Sequence, residues 1–224
     1  MTDSTLKIQV VAFDCDSTLS SVEGINELAH RAGIGDEISK MTMAAMGGDV
    51  PLEDIYGRRL EMIRPSMTDL AWLGQRYCDT LVDGAREVFD RLRASGRDVH
   101  IVSGGIQQAV ATVAVHLDVP MTNVHAVPVF LNDDCTYKGF DTDAPLARTG
   151  GKPEVLATLV DSPEKVVLVG DGVFDLEARQ SGVFVIGFGG VITRPTVKMG
   201  ANAWIEEPSL LPVLEIIEGL ERSG

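Results

Sequence analysis

Four short runs of apolar, mostly β-branched residues, at 8–13, 99–102, 166–169 and 183–186, alternate along the chain with segments of helical period. That alternation constrains the fold more than any other feature of the sequence. Apolar runs of this length read as strands buried on both faces. Helical periodicity covers 85–94, closing on Gly96, then 106–117, 153–160 and 176–181, the last closing on Gly182. Strand, helix, strand in that order implies right-handed crossovers and a parallel sheet. The expected class is therefore α/β, with a Rossmann-like parallel sheet core.

One stretch breaks the pattern. Between residues 22 and 78 every periodic segment is helical: Ile25, Leu28, Ala29 and Ala32 before Gly33, then 37–45, then 51–63, then a segment opened by Ser66-x-x-Asp69 and running to Tyr77. So much helix directly after a first strand exceeds any ordinary crossover. The reading is a small inserted helical cap at 19–81 beside a core made of 1–18 and 82–224, with Asp83-Gly84 marking the return. A β-hairpin is expected off the main sheet, from 127–131 and 135–139 around Asn132-Asp133-Asp134.

A net charge of -14 argues against nucleic-acid or anionic-membrane partners, which select basic patches. It does not argue against a small phosphorylated substrate, because local cations can reverse the field in one pocket. Cys15, Cys78 and Cys135 are odd in number and widely spaced, so neither a disulfide framework nor a zinc site is expected. The start of the sequence lacks a cationic, apolar leader, and no apolar run approaches the ~18 residues of a membrane span. The expected compartment is the cytoplasm. His30, His100, His116 and His125 show no metal-ligand spacing and read as structural.

In an open parallel sheet, ligands bind beyond the carboxyl ends of the strands, so the residues that follow each strand are diagnostic. Phe13 is followed by Asp14-Cys15-Asp16, Val102 by Ser103-Gly104-Gly105, and Val169 by Gly170-Asp171-Gly172 with Asp175 just beyond. Lys152, after Gly150-Gly151, is the nearest candidate cation. Taken singly these are bland: a solvated turn, a glycine turn, a surface lysine, an acid favoured by a helix dipole. Taken together, acids, a lysine and a glycine-rich hydroxyl turn suit a phosphate held with Mg²⁺, a hard cation that takes oxygen ligands. Backbone N–H groups of the Ser103-Gly104-Gly105 turn can receive phosphoryl oxygens.

The segments DCDSTLSSVEGINELA, KMTMAAMGGDVP, SGG, GGK and GDGVFDLEA resemble the motifs of the haloacid-dehalogenase superfamily of phosphotransferases, and within it the phosphoserine phosphatase family. The resemblance runs from Phe13 to about residue 220. It implies that Asp14 is the nucleophile that becomes an aspartyl phosphate and that Asp16 is general acid, then base. It further implies that the Asp14 side chain, the Asp16 carbonyl and Asp171 ligate Mg²⁺. Ser103, Gly104 and Lys152 would hold the phosphoryl group, and Asp175 would orient Lys152 or a metal-bound water. In the cap, Glu23 would pair with the substrate ammonium and Arg59 with its carboxylate, with Met46 packing nearby. Without the resemblance, Glu23 is an acid in a first helical turn and Arg59 part of a solvated helix face.

The function so implied is dephosphorylation of O-phospho-L-serine, the last step of serine biosynthesis, with no partner beyond the small phosphate ester and a homodimer left open. Phe174, where the family commonly has asparagine, Leu52, where a larger aromatic is common, and Val127-Pro128, in place of Asn-Arg, depart from the pattern and bear on substrate preference. Two alternatives stand beside it. One is a phosphatase or phosphotransferase for another small phosphate ester, with homoserine as a possible acceptor. The other is a Mg²⁺-binding phosphoacceptor signalling module, which has acids and a lysine at strand ends but no helical cap.

Overall fold

The computed structural model describes residues 7–47 and 50–223, the side chains of residues 46, 47 and 223 excepted. Strand β1 (Val10–Phe13) leads into four helices, α1 (Gly24–Arg31), α2 (Gly35–Gly47), α3 (Leu52–Ile63) and α4 (Met67–Asp79). The chain then runs through α5 (Ala85–Ala94), β2 (Asp98–Ile106), α6 (Gln107–His116) and β3 (Val124–Val127). A two-stranded antiparallel hairpin follows, β4 (Val129–Leu131) with β5 (Tyr137–Phe140). The remainder is α7 (Gly151–Leu156), β6 (Val166–Gly170), α8 (Val173–Leu176), β7 (Phe184–Phe188), α9 (Pro195–Gly200), β8 (Ala203–Ile205) and α10 (Pro212–Ser223).

The six-stranded sheet has the order β3-β2-β1-β6-β7-β8, and every pair is parallel. Chain order runs outward from β1 to β3, then jumps back to β6 on the other side of β1. The reversal lies between β1 and β6, the place where such sheets open a ligand crevice. Phe13 pairs with both Ile101 and Val169, so the residues just past these three positions emerge together at one rim. β1 and β6 are buried along their whole length, as continuous apolar runs require when helices cover both sheet faces.

Several boundaries differ from expectation. The strand expected at 127–131 is two strands: Val127 ends β3 on the sheet edge, and Pro128, which has no N–H to donate to a ladder, separates it from β4. The helix expected at 176–181 is one turn of α-helix followed by a 3₁₀ segment, Glu177–Ser181. β3, β8, α9 and α10 were not anticipated.

The helices between β1 and α5 are packed onto the sheet body. α4 lies along α6, burying Leu70, Leu73 and Tyr77 in a hydrophobic cluster continuous with Phe13 and Val110. The two chain segments joining this helical stretch to the sheet run side by side. Ser20 and Leu81 form an antiparallel bridge, Ser21 N–H donates to Thr80 O at 2.8 Å and Val82 N–H to Leu19 O at 2.9 Å, and the Ser20 and Thr80 hydroxyls meet at 2.7 Å. Among the described residues, no helix is long and apolar enough to cross a membrane.

Candidate active site

Asp14 is the first residue past β1, and its N–H still bonds Val169 O at 2.9 Å, so the pairing that fixes the strand also fixes this side chain. Residues Cys15–Leu19 then wind into a tight, buried turn in which Ser17 adopts a left-handed φ of 53°. The turn carries Asp16 to the same cavity by a separate route, and both acids line it. Lys152, 6 % exposed, bridges Asp14 Oδ2 at 2.9 Å and Asp175 Oδ1 at 2.5 Å. Gly172 N–H steadies Asp175 through Oδ2 at 2.9 Å. Arg194 donates to Asp171 Oδ2 from Nε at 3.0 Å and Nη2 at 2.9 Å.

Asp14, Asp171 and Asp175 each offer a carboxylate oxygen, and those oxygens lie within 4.8 Å of one another. Asp175, expected behind the metal ligands, shares their cluster, while the Asp16 carboxylate faces Gly24 N–H and the Tyr77 hydroxyl, each at 2.6 Å. The electrostatics show a deficit of positive charge. Burial and the Asp14 carboxylate push Asp16 up to about 6. Burial raises Asp171 to about 7, with Asp14 and Asp175 adding to the effect and Arg194 opposing it. Burial alone would lower Lys152, but Asp14 and Asp175 outweigh it and hold the ammonium above its ordinary value. Buried, oxygen-only donors that repel one another fit a hard divalent cation.

Ser103-Gly104-Gly105, expected as a turn past the strand, lie inside β2 where its pairing with β3 shifts register between Val102 and Ile106, and this stretch closes the other side. Ser103 is fully buried and accepts Gly105 N–H on Oγ at 3.1 Å, so it shapes the irregular stretch, whereas Gly104 and Gly105 line the cavity. Glycine is needed at 105, where a β-carbon would stand 2.8 Å from Asp16 Oδ2. Tyr56 donates to Gly104 O at 2.8 Å, tying α3 to this part of β2.

Glu23, Arg59, Leu52 and Phe174 also line the cavity. Arg59, 3 % exposed, donates from Nη1 to Thr42 Oγ1 at 2.9 Å, and its Nε has no partner among the described residues. Glu23 meets Ser17 Oγ at 3.5 Å; burial, then Asp16 and Asp171, push its carboxyl up, with Arg59 opposing. A guanidinium and a carboxyl with unspent hydrogen-bonding capacity can take opposite ends of a zwitterion. The Met46 side chain lies outside the described residues. Val127 is buried in β3, and neither it nor Pro128 is on the cavity wall. Tyr56, Tyr77 and Arg194 were not among the residues expected here.

Comparison with known proteins gives the same picture from another direction. The family description "haloacid dehalogenase-like hydrolase" matches residues 8–182. The phosphoserine phosphatase of Bos taurus is 39% identical over 208 residues, covering 92% of this chain and 92% of the relative. Among solved structures, a substrate-bound phosphoserine phosphatase complex superposes with a TM-score of 0.81 at 25% identity, covering 94% of this chain and 98% of that one. A phospho-aspartyl intermediate analogue of phosphoserine phosphatase superposes with a TM-score of 0.77 at 26% identity, over 94% and 99%.

Proposed function

The chain belongs to the haloacid dehalogenase-like hydrolases, and we propose that it hydrolyses O-phospho-L-serine to L-serine through an aspartyl phosphate on Asp14. The observation that carries this reading is one cavity whose wall combines Asp14, Lys152 and Asp175 with Glu23 and Arg59, while Asp171 offers an oxygen within 4.8 Å of those of Asp14 and Asp175. The first group suits a phosphoryl ester and the second the two charges of an amino acid.

In this reading Asp14, Asp171 and Asp175 would hold Mg²⁺, with the Asp16 carbonyl as a further ligand, and the cation would supply charge neutralisation for the phosphoryl group. Asp14 attacks phosphorus, Lys152 and the β2 backbone at Gly104 hold the phosphoryl group, and Asp16 gives a proton to the leaving serine oxygen before taking one from the hydrolytic water. Covalent catalysis of this kind divides one hard step into two, and the acid–base role contributes about 10²–10⁴ in rate. Residues 19–81 act as the specificity cap, in which Glu23 reads the ammonium and Arg59 the carboxylate. The cytoplasm suits the three free thiols.

Phosphate release from O-phospho-L-serine, with and without EDTA and beside a panel of other small phosphate esters, tests this. The expected result is metal-dependent release that favours phosphoserine. Folded protein with no such release would overturn the reading, and adding homoserine to the panel distinguishes transfer to an acceptor from hydrolysis.

A further inference from the structure

The Asp16 carboxyl has a partner that no strand-end motif foretells. Tyr77, 1 % exposed near the end of α4, donates its phenol hydrogen to Asp16 Oδ1 at 2.6 Å, and Gly24 N–H donates to that same oxygen at 2.6 Å. The packing around this contact is close. A β-carbon on Gly24 would stand 1.9 Å from the Tyr77 hydroxyl oxygen and 3.1 Å from Asp16 Oδ1. A carboxylate oxygen has two lone pairs in its plane, and two donors occupy both on Oδ1. Oδ2 lies toward Gly105 in β2, where an added β-carbon would stand 2.8 Å from it.

We propose that Tyr77 is a positioning residue for Asp16: with Gly24 it saturates Oδ1, fixes the plane of the carboxyl and leaves Oδ2 as the oxygen that handles the transferable proton. This rests on the reading of Asp16 as general acid and base. In the first step an Asp14 oxygen bonds to phosphorus, the bond from phosphorus to the alkoxy oxygen breaks, and the proton on Asp16 Oδ2 passes to that oxygen. In the second, Oδ2 takes a proton from water as the water oxygen bonds to phosphorus and the bond to Asp14 breaks. Oδ1 keeps both donors throughout. Without the phenol, Oδ1 has a free lone pair, the carboxyl is held by one contact, and either oxygen can carry the proton.

Single-turnover rates of Tyr77→Phe with phosphoserine and with p-nitrophenyl phosphate test this, because p-nitrophenolate departs without needing a proton. Loss of a hydrogen bond to a charged group predicts a drop of about tenfold to hundredfold for phosphoserine, seen in kcat rather than KM, and a much smaller drop for the aryl ester. Gly24→Ala, which displaces the hydroxyl instead of removing it, should give the same split and decides the matter if Tyr77→Phe does not fold. Equal losses on the two esters, or none, would overturn the proposal. Asp16→Asn separates the two layers: if it shows the split and Tyr77→Phe does not, only the role of Tyr77 falls; if it spares phosphoserine, the assignment of Asp16 falls with it.

Discussion

A carboxylate is a poor nucleophile toward an anionic ester until the field around it is reversed, and Lys152 at 2.9 Å from Asp14 begins that reversal. Asp14→Asn keeps the shape and the backbone contact to Val169 while removing the charge proposed to attack phosphorus. It should abolish phosphate release with an unchanged far-ultraviolet circular dichroism spectrum; a variant that still turns over at the parent rate would remove Asp14 from the chemistry. Asp14, Asp171 and Lys152 were legible in the sequence because each follows directly on a strand end or a glycine turn, where position along the chain fixes position in space. Tyr77 and Arg194 were not. A buried phenol must find an acceptor, but that its acceptor lies 61 residues away is settled by tertiary packing and by no local pattern.

At the level of elements, α4 is tied down at both ends, by Tyr77 near its last turn and by a complete capping box at its start. Ser66 and Asp69 exchange hydrogen bonds there, and Arg31 from α1 reaches Asp69 Oδ1 at 2.7 Å. Burial alone would raise the Asp69 carboxyl, but the Ser66 and Arg31 hydrogen bonds outweigh it and hold it below its ordinary 3.8. A depressed folded value stabilises above the unfolded value and is lost as pH falls through the folded one. Asp69→Ala should therefore cost about 1 kcal/mol near neutrality, a gap in thermal melts that closes below pH 3.8. The capping box and the four helices were readable because Ser66-x-x-Asp69 and the apolar spacing are local signals. The contacts from α3 that close on the site, Tyr56 to Gly104 at 2.8 Å and Glu53 to Thr149 N–H at 2.9 Å, join distant segments and leave no such trace. α9 and β8 are too short to show a period, whereas α10 carries one in Val213, Leu214 and Ile217 that the strand-and-helix alternation overlooked.

For the molecule as a whole, the parallel sheet was legible because central strands buried on both faces are written as unbroken apolar runs, and the hairpin boundary was not, because one proline divides a run that otherwise looks continuous. With Asp14, Asp171 and Asp175 as the proposed metal ligands, their mutual repulsion should make the folded state bind a divalent ion. Mg²⁺ at a hundredfold excess over its Kd should add about 2.7 kcal/mol of stability, roughly 5–10 °C in melting temperature for a chain of this size. Asp171→Asn should blunt that response, and an unaltered melting curve on titrating Mg²⁺ into the parent protein would count against the ion. The bridge between Ser20 and Leu81 has a different consequence. Everything between those residues is spliced into the chain at two neighbouring points, so a chimaera that takes this stretch from a relative needs a pair of adjoining junctions, a matched α4 surface against α6 and the contacts to Asp16, Gly104 and Thr149. Under the proposed reading of this stretch as the specificity cap, such an exchange should alter substrate choice and spare the reactive rim only where the donor stretch keeps Gly24, Tyr56 and Tyr77, which hold Asp16 and Gly104.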